Sequence, residues 1–389
     1  MSFSIHRAFA RTVLSTALLC AAAQAGAQPL KLLGATLDLP FDFKVRDSNE
    51  FASSGHRASR SVQAFEVEVT SGPHAGKVLL VQARYYAPER MPPETMTRVV
   101  REAAKTQGEK PGVRATRTLQ VDGFDFHYMD GPVESTENRP QRMIVTGAVN
   151  GAIYSLSVFA PDADVLATGV GEQLQAPKLD YASLLQARAR FDSEAKTAAA
   201  DRALESPMGR LMLAGGIQAR LVGSGVRRDA EGHPTYRSRE FSLFKAGFWT
   251  LQSVVVSVGC GNDDANEYAK FVRMTDEVAE TDEDERYVNP SLPEPARLAG
   301  LAGETASASG PTVSGTWRRS SVTRLAARDS GRMYLTQVER FNGSPIENAL
   351  TKQLADASPT CHVDLPFGPP PPKQQGASAV GESVARLDD

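Results

Sequence analysis

The sequence predicts an α+β protein of two antiparallel-sheet domains with packed helices, an α/β sandwich whose halves are candidate duplicates. Three observations predict it. Segments in which apolar and polar residues alternate recur along the chain, as half-buried strands require. Turn chemistry joins them in pairs, most plainly at Asn150-Gly151, where both residues tolerate the positive φ of a type I′ hairpin turn. Between the pairs lie stretches with apolar residues three and four apart, the spacing of one helix face.

The first element is a leader. Met1–Arg11 carries Arg7 and Arg11 and no acid, Thr12–Ala23 is apolar, and small residues follow at Ala23-Gln24-Ala25 and Ala25-Gly26-Ala27. A basic start, a short apolar run and an Ala-x-Ala site describe a secretory signal peptide over residues 1–27, cut after Ala27 or Ala25. The apolar run falls short of the ~20 residues a spanning helix needs, so no integral membrane segment is expected after cleavage. Leu18-Leu19 before Cys20 does not supply the small residue that lipidation wants there.

In the mature chain, Thr36–Phe43 reads as a short opening strand stopped by Pro40. Phe65, Val67 and Val69 alternate with Glu66 and Glu68, Ser71–Gly76 is turn chemistry, and Val78–Tyr86 returns, so 62–86 is a hairpin. A helix follows, with Pro92 or Pro93 in its first turn, Met96, Val99, Val100, Ala103 and Ala104 on one face, and Gly108 at its end. Strands return at Arg117–Val121, Phe124–Tyr128, Met143–Val149 and Ala152–Phe159. Asp180 then precedes a second helix carrying Tyr181, Leu184, Leu185 and Phe191, with an Ala-rich continuation to about Leu204 and a breaker at Ser206-Pro207.

The second half reads as strand Arg239–Phe244, turn Ala246-Gly247, strand Phe248–Val258 and a helix with Tyr268, Phe271 and Val272. This repeats the order of strand, Asn150-Gly151, strand, loop and Tyr181-led helix over 142–191. A further hairpin, Val313–Leu325 with Arg332–Phe341, turns at Asp329-Ser330-Gly331. Ser344-Pro345-Ile346-Glu347 opens a last helix, with Ser at N-cap, Pro at N1 and Glu at N3. Two segments read as unpacked: 281–311, acidic and then rich in Pro, Gly, Ala and Ser, and the Pro-rich tail 366–389. The division is therefore an N-terminal domain at 28–205 and a C-terminal domain at 206–365, with 281–311 as a flexible insertion.

The order of opening strand, hairpin, helix, antiparallel strands and closing helix resembles the Mog1/PsbP-like α/β/α sandwich. The matching residues are Thr36-Leu37-Asp38-Leu39-Pro40 and Asn150-Gly151-Ala152-Ile153-Tyr154-Ser155-Leu156, within 30–200, and a second copy covers 215–365. The resemblance implies an exported accessory or binding protein rather than an enzyme, and assigns no functional residue.

Composition excludes some partners. Hydrophobic residues at 41% and charged residues at 23% are globular values, and roughly 340 residues between leader and tail exceed one comfortable core. The net charge of −3 becomes more negative once Arg7 and Arg11 leave, so no field attracts a nucleic acid. Cys20 goes with the leader. Cys260 and Cys361 remain, and in an oxidising compartment they are expected to form one disulfide.

No local motif announces catalysis. G-x-S-x-G is absent, and Gly223-Ser224-Gly225 reads as a Gly-rich turn between strands. His56, His74 and His233 sit among Gly, Ser and Pro, and His362 adjoins Cys361. His127 alternates in a strand on the face opposite Phe126 and Tyr128. None has a histidine partner at metal spacing. Asn262-x-Asp264-x-Asn266 mimics the start of an EF-hand loop, which makes Asp263, Asp264, Asn266 and Glu267 a candidate calcium loop. Yet Glu267 stands where that loop needs Gly and Arg273 where it needs Glu. The competing reading is an N-capping loop, where acids complement the helix dipole.

The sequence thus points to an exported, non-enzymatic periplasmic or secreted accessory protein that binds a partner protein or small ligand, with no catalytic residue and no cofactor. The alternatives are a divergent hydrolase without a local motif and an immunity- or inhibitor-type protein. N-terminal sequencing of the exported protein is expected to begin at Gln28 or Gly26; an intact Met1 in the mature pool would refute the leader.

Overall fold

The computed structural model describes residues 29–365 apart from 55–57, 89–90, 110–111, 133–140, 150, 162, 168, 176–177, 198–199, 214–215, 246–253, 275–289, 309–318, 342–345 and 358–359. The leader, His56, the turn at Ala246-Gly247, the acidic run at Asp282–Glu285, the helix start at Ser344-Pro345 and the Pro-rich tail lie outside the described residues.

The first half opens with a small hairpin, β1 (Leu30–Leu32) and β2 (Ala35–Leu37). A meander of β3 (Phe43–Ser54), β4 (Ala58–Val69) and β5 (Val78–Pro88) follows, then helix α1 (Pro93–Gly108). Next come β6 (Ala115–Val121), β7 (Phe124–Pro132), β8 (Gln141–Val149) and β9 (Ala152–Ala160), and β9 pairs back onto β5. Short helices α2 (Ala163–Ala167) and α3 (Val170–Gln175), the two-residue strand β10 (Lys178–Leu179) and helix α4 (Tyr181–Thr197) close the half.

The second half has the same plan. The hairpin β11 (Ala203–Ser206) and β12 (Gly209–Met212) precedes β13 (Ile217–Asp229), β14 (Pro234–Lys245) and β15 (Val254–Asn262). Helix α5 (Ala265–Arg273) leads to β16 (Glu294–Leu298), β17 (Leu301–Ala308), β18 (Arg319–Asp329) and β19 (Arg332–Phe341), and β19 pairs back onto β15. Helix α6 (Ile346–Asp356) closes it.

Among the described residues, fourteen of these strands make one sheet rather than the two that the sequence predicts, in the order β16-β17-β18-β19-β15-β14-β13-β3-β4-β5-β9-β8-β7-β6, while β1-β2-β10 and β11-β12 form two small separate sheets. The fold is predominantly β rather than a balanced α+β. The halves join where β13 runs antiparallel to β3, in register from Gly223↔Ser53 to Asp229↔Asp47. Alternation tells which side chains face a core, but not which strand edge pairs with which, so the junction was invisible in the pattern.

Apart from β10, which has no counterpart among the described residues of the second half, the two halves match strand for strand, in a register different from the one the sequence suggests. The counterpart of the hairpin at Gly151 is the β18–β19 hairpin, where Ser330 and Gly331 take φ of +50° and +75°, not the 239–258 hairpin. The Tyr268 helix corresponds to α1, not to α4. In this register Tyr154 matches Tyr334, both buried. Phe51 matches Gly225, and these two pair with each other across the junction, as a twofold axis normal to the sheet requires.

Three further corrections follow. Residues 294–308, expected to be unpacked, form the β16–β17 hairpin, whose Leu298 and Ala306 are buried; Ala and Gly composition there reflects tight packing, not disorder. Helix α4 spans Tyr181–Thr197, and Ala203-Leu204 at the end of the expected Ala-rich continuation belong to strand β11, since tertiary pairing overrides helix propensity. Gly223-Ser224-Gly225 lies inside β13 rather than in a turn.

The sheet has a front face, on which α1 packs over β7–β9 and α5 over β17–β19, and a back face carrying everything else. The back face holds the two main cores. Leu37, Leu79, Val81, Phe126, Tyr154, Leu156, Leu166 and Leu174 build the first; Leu204, Leu243, Val256, Leu298, Tyr334 and Leu350 build the second. Each fully buried Leu or Phe contributes about 1.5–3 kcal/mol. Cys260 of β15 is bonded to Cys361, Cα atoms 5.7 Å apart across 101 residues of sequence. Chain entropy alone gives such a cross-link about 4.7 kcal/mol, and it ties the segment after α6 to the middle of its own half.

Gly223 shows why the junction needs small residues. A Cβ there would lie 2.9 Å from the Cβ of Glu240 and 3.0 Å from that of Ser53, and neither neighbour can move without its strand. Replacing Gly223 by Val is expected to cost about 1–3 kcal/mol of unfolding free energy by overpacking, measured by denaturant titration. An unchanged midpoint would show that the junction is loosely packed.

Candidate ligand-binding site

Beneath α1, on the front face of the first half, lies a pocket of about 430 Å³, within the range of small-molecule sites. Its origin is local. Helix α1 anchors itself through Met96 and Val100, which are buried. One turn later the same face presents Ala103 and Ala104, too short to reach the sheet. Below them β9 offers Ser155 and Ser157, with Tyr154, Leu156 and Val158 turned to the back core by strand alternation. Small residues on both sides leave the space open.

Register assembles the floor. Thr118, His127, Thr146, Ser155 and Arg84 lie directly opposite one another on five adjacent strands, so they form one row on one face. Val99, Val100, Ile153 and Phe159 add apolar wall. Three cations of the front side, Arg84, Arg101 and Lys105, line the pocket, Arg117 borders it from the face of β6 opposite Thr118, and no carboxylate is among its described lining residues. Arg101 approaches Asp125 only to 3.9 Å, with both side chains more than a third exposed, a solvated pair that neutralises little.

His127 is half-buried, and burial lowers its pKa below the ordinary histidine value; Arg101 acts in the same direction and Asp125 against it. The ring is therefore neutral at pH 7. Its Nδ1 lies 3.4 Å from Thr118 Oγ1. Ser155 shares the row, but β8 stands between β7 and β9, which places the two Cα atoms roughly 10 Å apart. Thr146 lies between them in the row, and no hydrogen bond links Ser155 to His127 among the described residues. The pocket brings His127 and Ser155 into one row, while Asp125, whose charge acts on His127, is not among the lining residues.

The other residues singled out by sequence go elsewhere. His74 sits in the β4–β5 turn, and His362 is exposed. In the loop considered for calcium, Asp264 caps α5, its Oδ1 accepting from Asn266 N at 2.9 Å and Glu267 N at 3.1 Å. Asp263 accepts from Arg328 Nε at 2.6 Å, Glu267 Oε2 pairs with Arg227 Nη2 at 2.9 Å, and Asn262 Oδ1 accepts from Arg332 Nη1 at 2.7 Å. The geometry is that of a helix cap held by arginines. His233 is brought together with Asp229 and Glu231 at the β13–β14 tip, a proximity missed by looking only for paired histidines. Asp229 Oδ1 there accepts from Glu231 N and His233 N, which commits it to shaping the turn.

Sequence reading missed Arg84, Arg101, Lys105, Arg117, Ser155 and Ser157, because no local motif joins residues drawn from several strands and a helix. One signal was present: β9 alternates Tyr154, Leu156 and Val158 with Ser155 and Ser157, small hydroxyls on a face that a helix covers. No family model matches the chain, and no curated protein matches it.

A second perturbed group lies at the centre of the front face. Glu240 of β14 is partly buried, and burial together with the charge of Glu339 pushes it up to about 7, against Arg60 and the Ser257 hydroxyl. Its unfolded value is near 4.5, so between pH 4.5 and 7 the native state holds more protons. This group's contribution is full below pH 4.5 and is lost as pH rises through 7. Glu240→Gln is expected to remove that slope and to raise stability at pH 8 by roughly 1–3 kcal/mol. Parallel stability–pH curves for the two proteins would show that Glu240 titrates normally.

Proposed function

We propose that the protein is an exported, non-enzymatic accessory protein that holds a small anionic ligand in the pocket under α1, on a tandem Mog1/PsbP-like scaffold. The observation that carries this reading is the lining: Arg84, Arg101 and Lys105 with a row of hydroxyls, with apolar wall beside them and no carboxylate among the described lining residues. Such a surface stabilises an oxyanion by charge-assisted hydrogen bonds and an apolar body by burial. Export is supported by the leader and by the Cys260–Cys361 bond, since disulfides persist in oxidising compartments. The hydrolase alternative has less support, because no carboxylate and no hydrogen bond to Ser155 is found at His127 among the described pocket residues.

The test is titration of the purified mature protein with 8-anilinonaphthalene-1-sulfonate, followed by competition with octanoate, citrate and inorganic phosphate. Binding is expected to weaken with salt, and Arg84→Gln to weaken it by about tenfold, the ~1.4 kcal/mol of one charged hydrogen bond. Absence of binding by all four anions would refute the reading. So would turnover of a generic ester that disappears in His127→Ala.

A further inference from the structure

The twofold relation between the halves assigns each pocket residue a counterpart. With the tips of the β8–β9 and β18–β19 hairpins superposed, Ser155 corresponds to Leu335, Thr146 to Ala326 and Ile153 to Met333. Carried across the sheet by its pairings, the same register matches His127 with Glu304, Thr118 with Pro295 and Arg84 with Gly259. The floor row Thr118–His127–Thr146–Ser155–Arg84 therefore has as its counterpart Pro295–Glu304–Ala326–Leu335–Gly259.

The Ala326–Leu335–Gly259 part of that second row is packed, while Pro295 is exposed and Glu304 partly so. Ala326, Met333 and Leu335 form a buried cluster with Val272, and Tyr236, Tyr268 and Phe271 close over it. A Cβ on Gly259, where the first half has Arg84, would lie 2.1 Å from the Tyr236 hydroxyl oxygen, so Tyr236 occupies the space of the missing side chain. Arg324 lies over the Phe271 ring at 4.5 Å and Arg328 over Tyr268 at 5.3 Å, which commits these two cations to α5. Helix α1 has no aromatic residue at all.

We infer that the chain holds one ligand site rather than two, and that Ser155 and Ala104, by being small, are the residues that keep it open. The second repeat has the same backbone plan with its space filled by Leu335 and the α5 aromatics, and acts as a packed buttress. This inference rests on the reading of the α1 pocket as the ligand site.

The experiment uses the full mature chain and 8-anilinonaphthalene-1-sulfonate as probe. The wild type is expected to bind one molecule per chain. Ser155→Leu, which copies Leu335, and Ala104→Leu, which fills the gap from the helix with a good helix former, are each expected to weaken binding by about tenfold or more. The denaturation midpoint is expected to stay level or rise, because the added side chains occupy open space. Two variants on opposite walls guard against a single misfolded protein. Two probe molecules per chain, or folded variants that bind like the wild type, would overturn the inference while leaving the ligand site intact. A wild type that binds no probe would instead remove the site itself.

Discussion

Where β3 meets β13, main-chain hydrogen bonding from Gly223–Ser53 to Asp229–Asp47 turns two sheet edges into interior strands. An edge of 12 or 13 residues exposes a long row of unpaired N–H and C=O groups, and joining the halves pairs the stretches Asp47–Ser53 and Gly223–Asp229 of the two rows at once. The pairing is antiparallel and centred on the matched residues Phe51 and Gly225, where a Cβ on the glycine would lie 3.3 Å from the Phe51 ring. One partner must be small for the other to be large. Symmetry about this point places α1 and α5 on the same face, and so sets where a pocket can form.

The back of the junction is held by buried cations. Arg188 of α4 is almost wholly buried; its Nη1 donates to Arg60 O at 2.8 Å and Ser61 Oγ at 2.6 Å, its Nη2 to Ser53 O at 2.9 Å and Asp192 Oδ1 at 2.6 Å. Phe191 and Ala195 of the same helix pack on Ala52. On β14, Arg239 Nη1 donates to Glu205 O at 2.7 Å. Burial, with Arg228 and Arg239 nearby, lowers Arg237 to about 10, still charged at neutral pH. A buried guanidinium is tolerated only when hydrogen bonds replace its water; here the acceptors are mostly strand carbonyls, which makes the cations staples between helix and sheet.

The front face shows how one fold serves two ends. A helix laid over strands buries its apolar stripe against whatever the strands present, and the outcome depends on side-chain volume. Leu335, Met333 and the aromatics of α5 fill the second half. Ser155, Ser157, Ala103 and Ala104 leave the first open and let cations from β5 and α1 line it. Both halves keep a main core on the back face, with Tyr154 matched by Tyr334 and Val158 by Val338, although Phe126 and Leu156 of the first core are matched by Gly303 and Thr336.

Much of the local structure was legible in the sequence. Alternation at Phe65, Val67 and Val69, the turn at Gly151, the periodic run from Met96 to Ala104 and the turn at Ser330-Gly331 each specify an element through side-chain period or backbone freedom, which are properties of neighbours in the chain. The pairing of Cys260 with Cys361 followed from there being two thiols outside the expected leader. Tertiary structure alone decided the rest. The sheet is single because β3 and β13 find each other across more than 150 residues of chain, and hydrogen bonding between edges leaves no period in the sequence. The pocket was hidden for the same reason: Arg84, His127, Thr146 and Ser155 become neighbours only through register, and its openness comes from volumes that α1 and β9 leave unfilled when they meet.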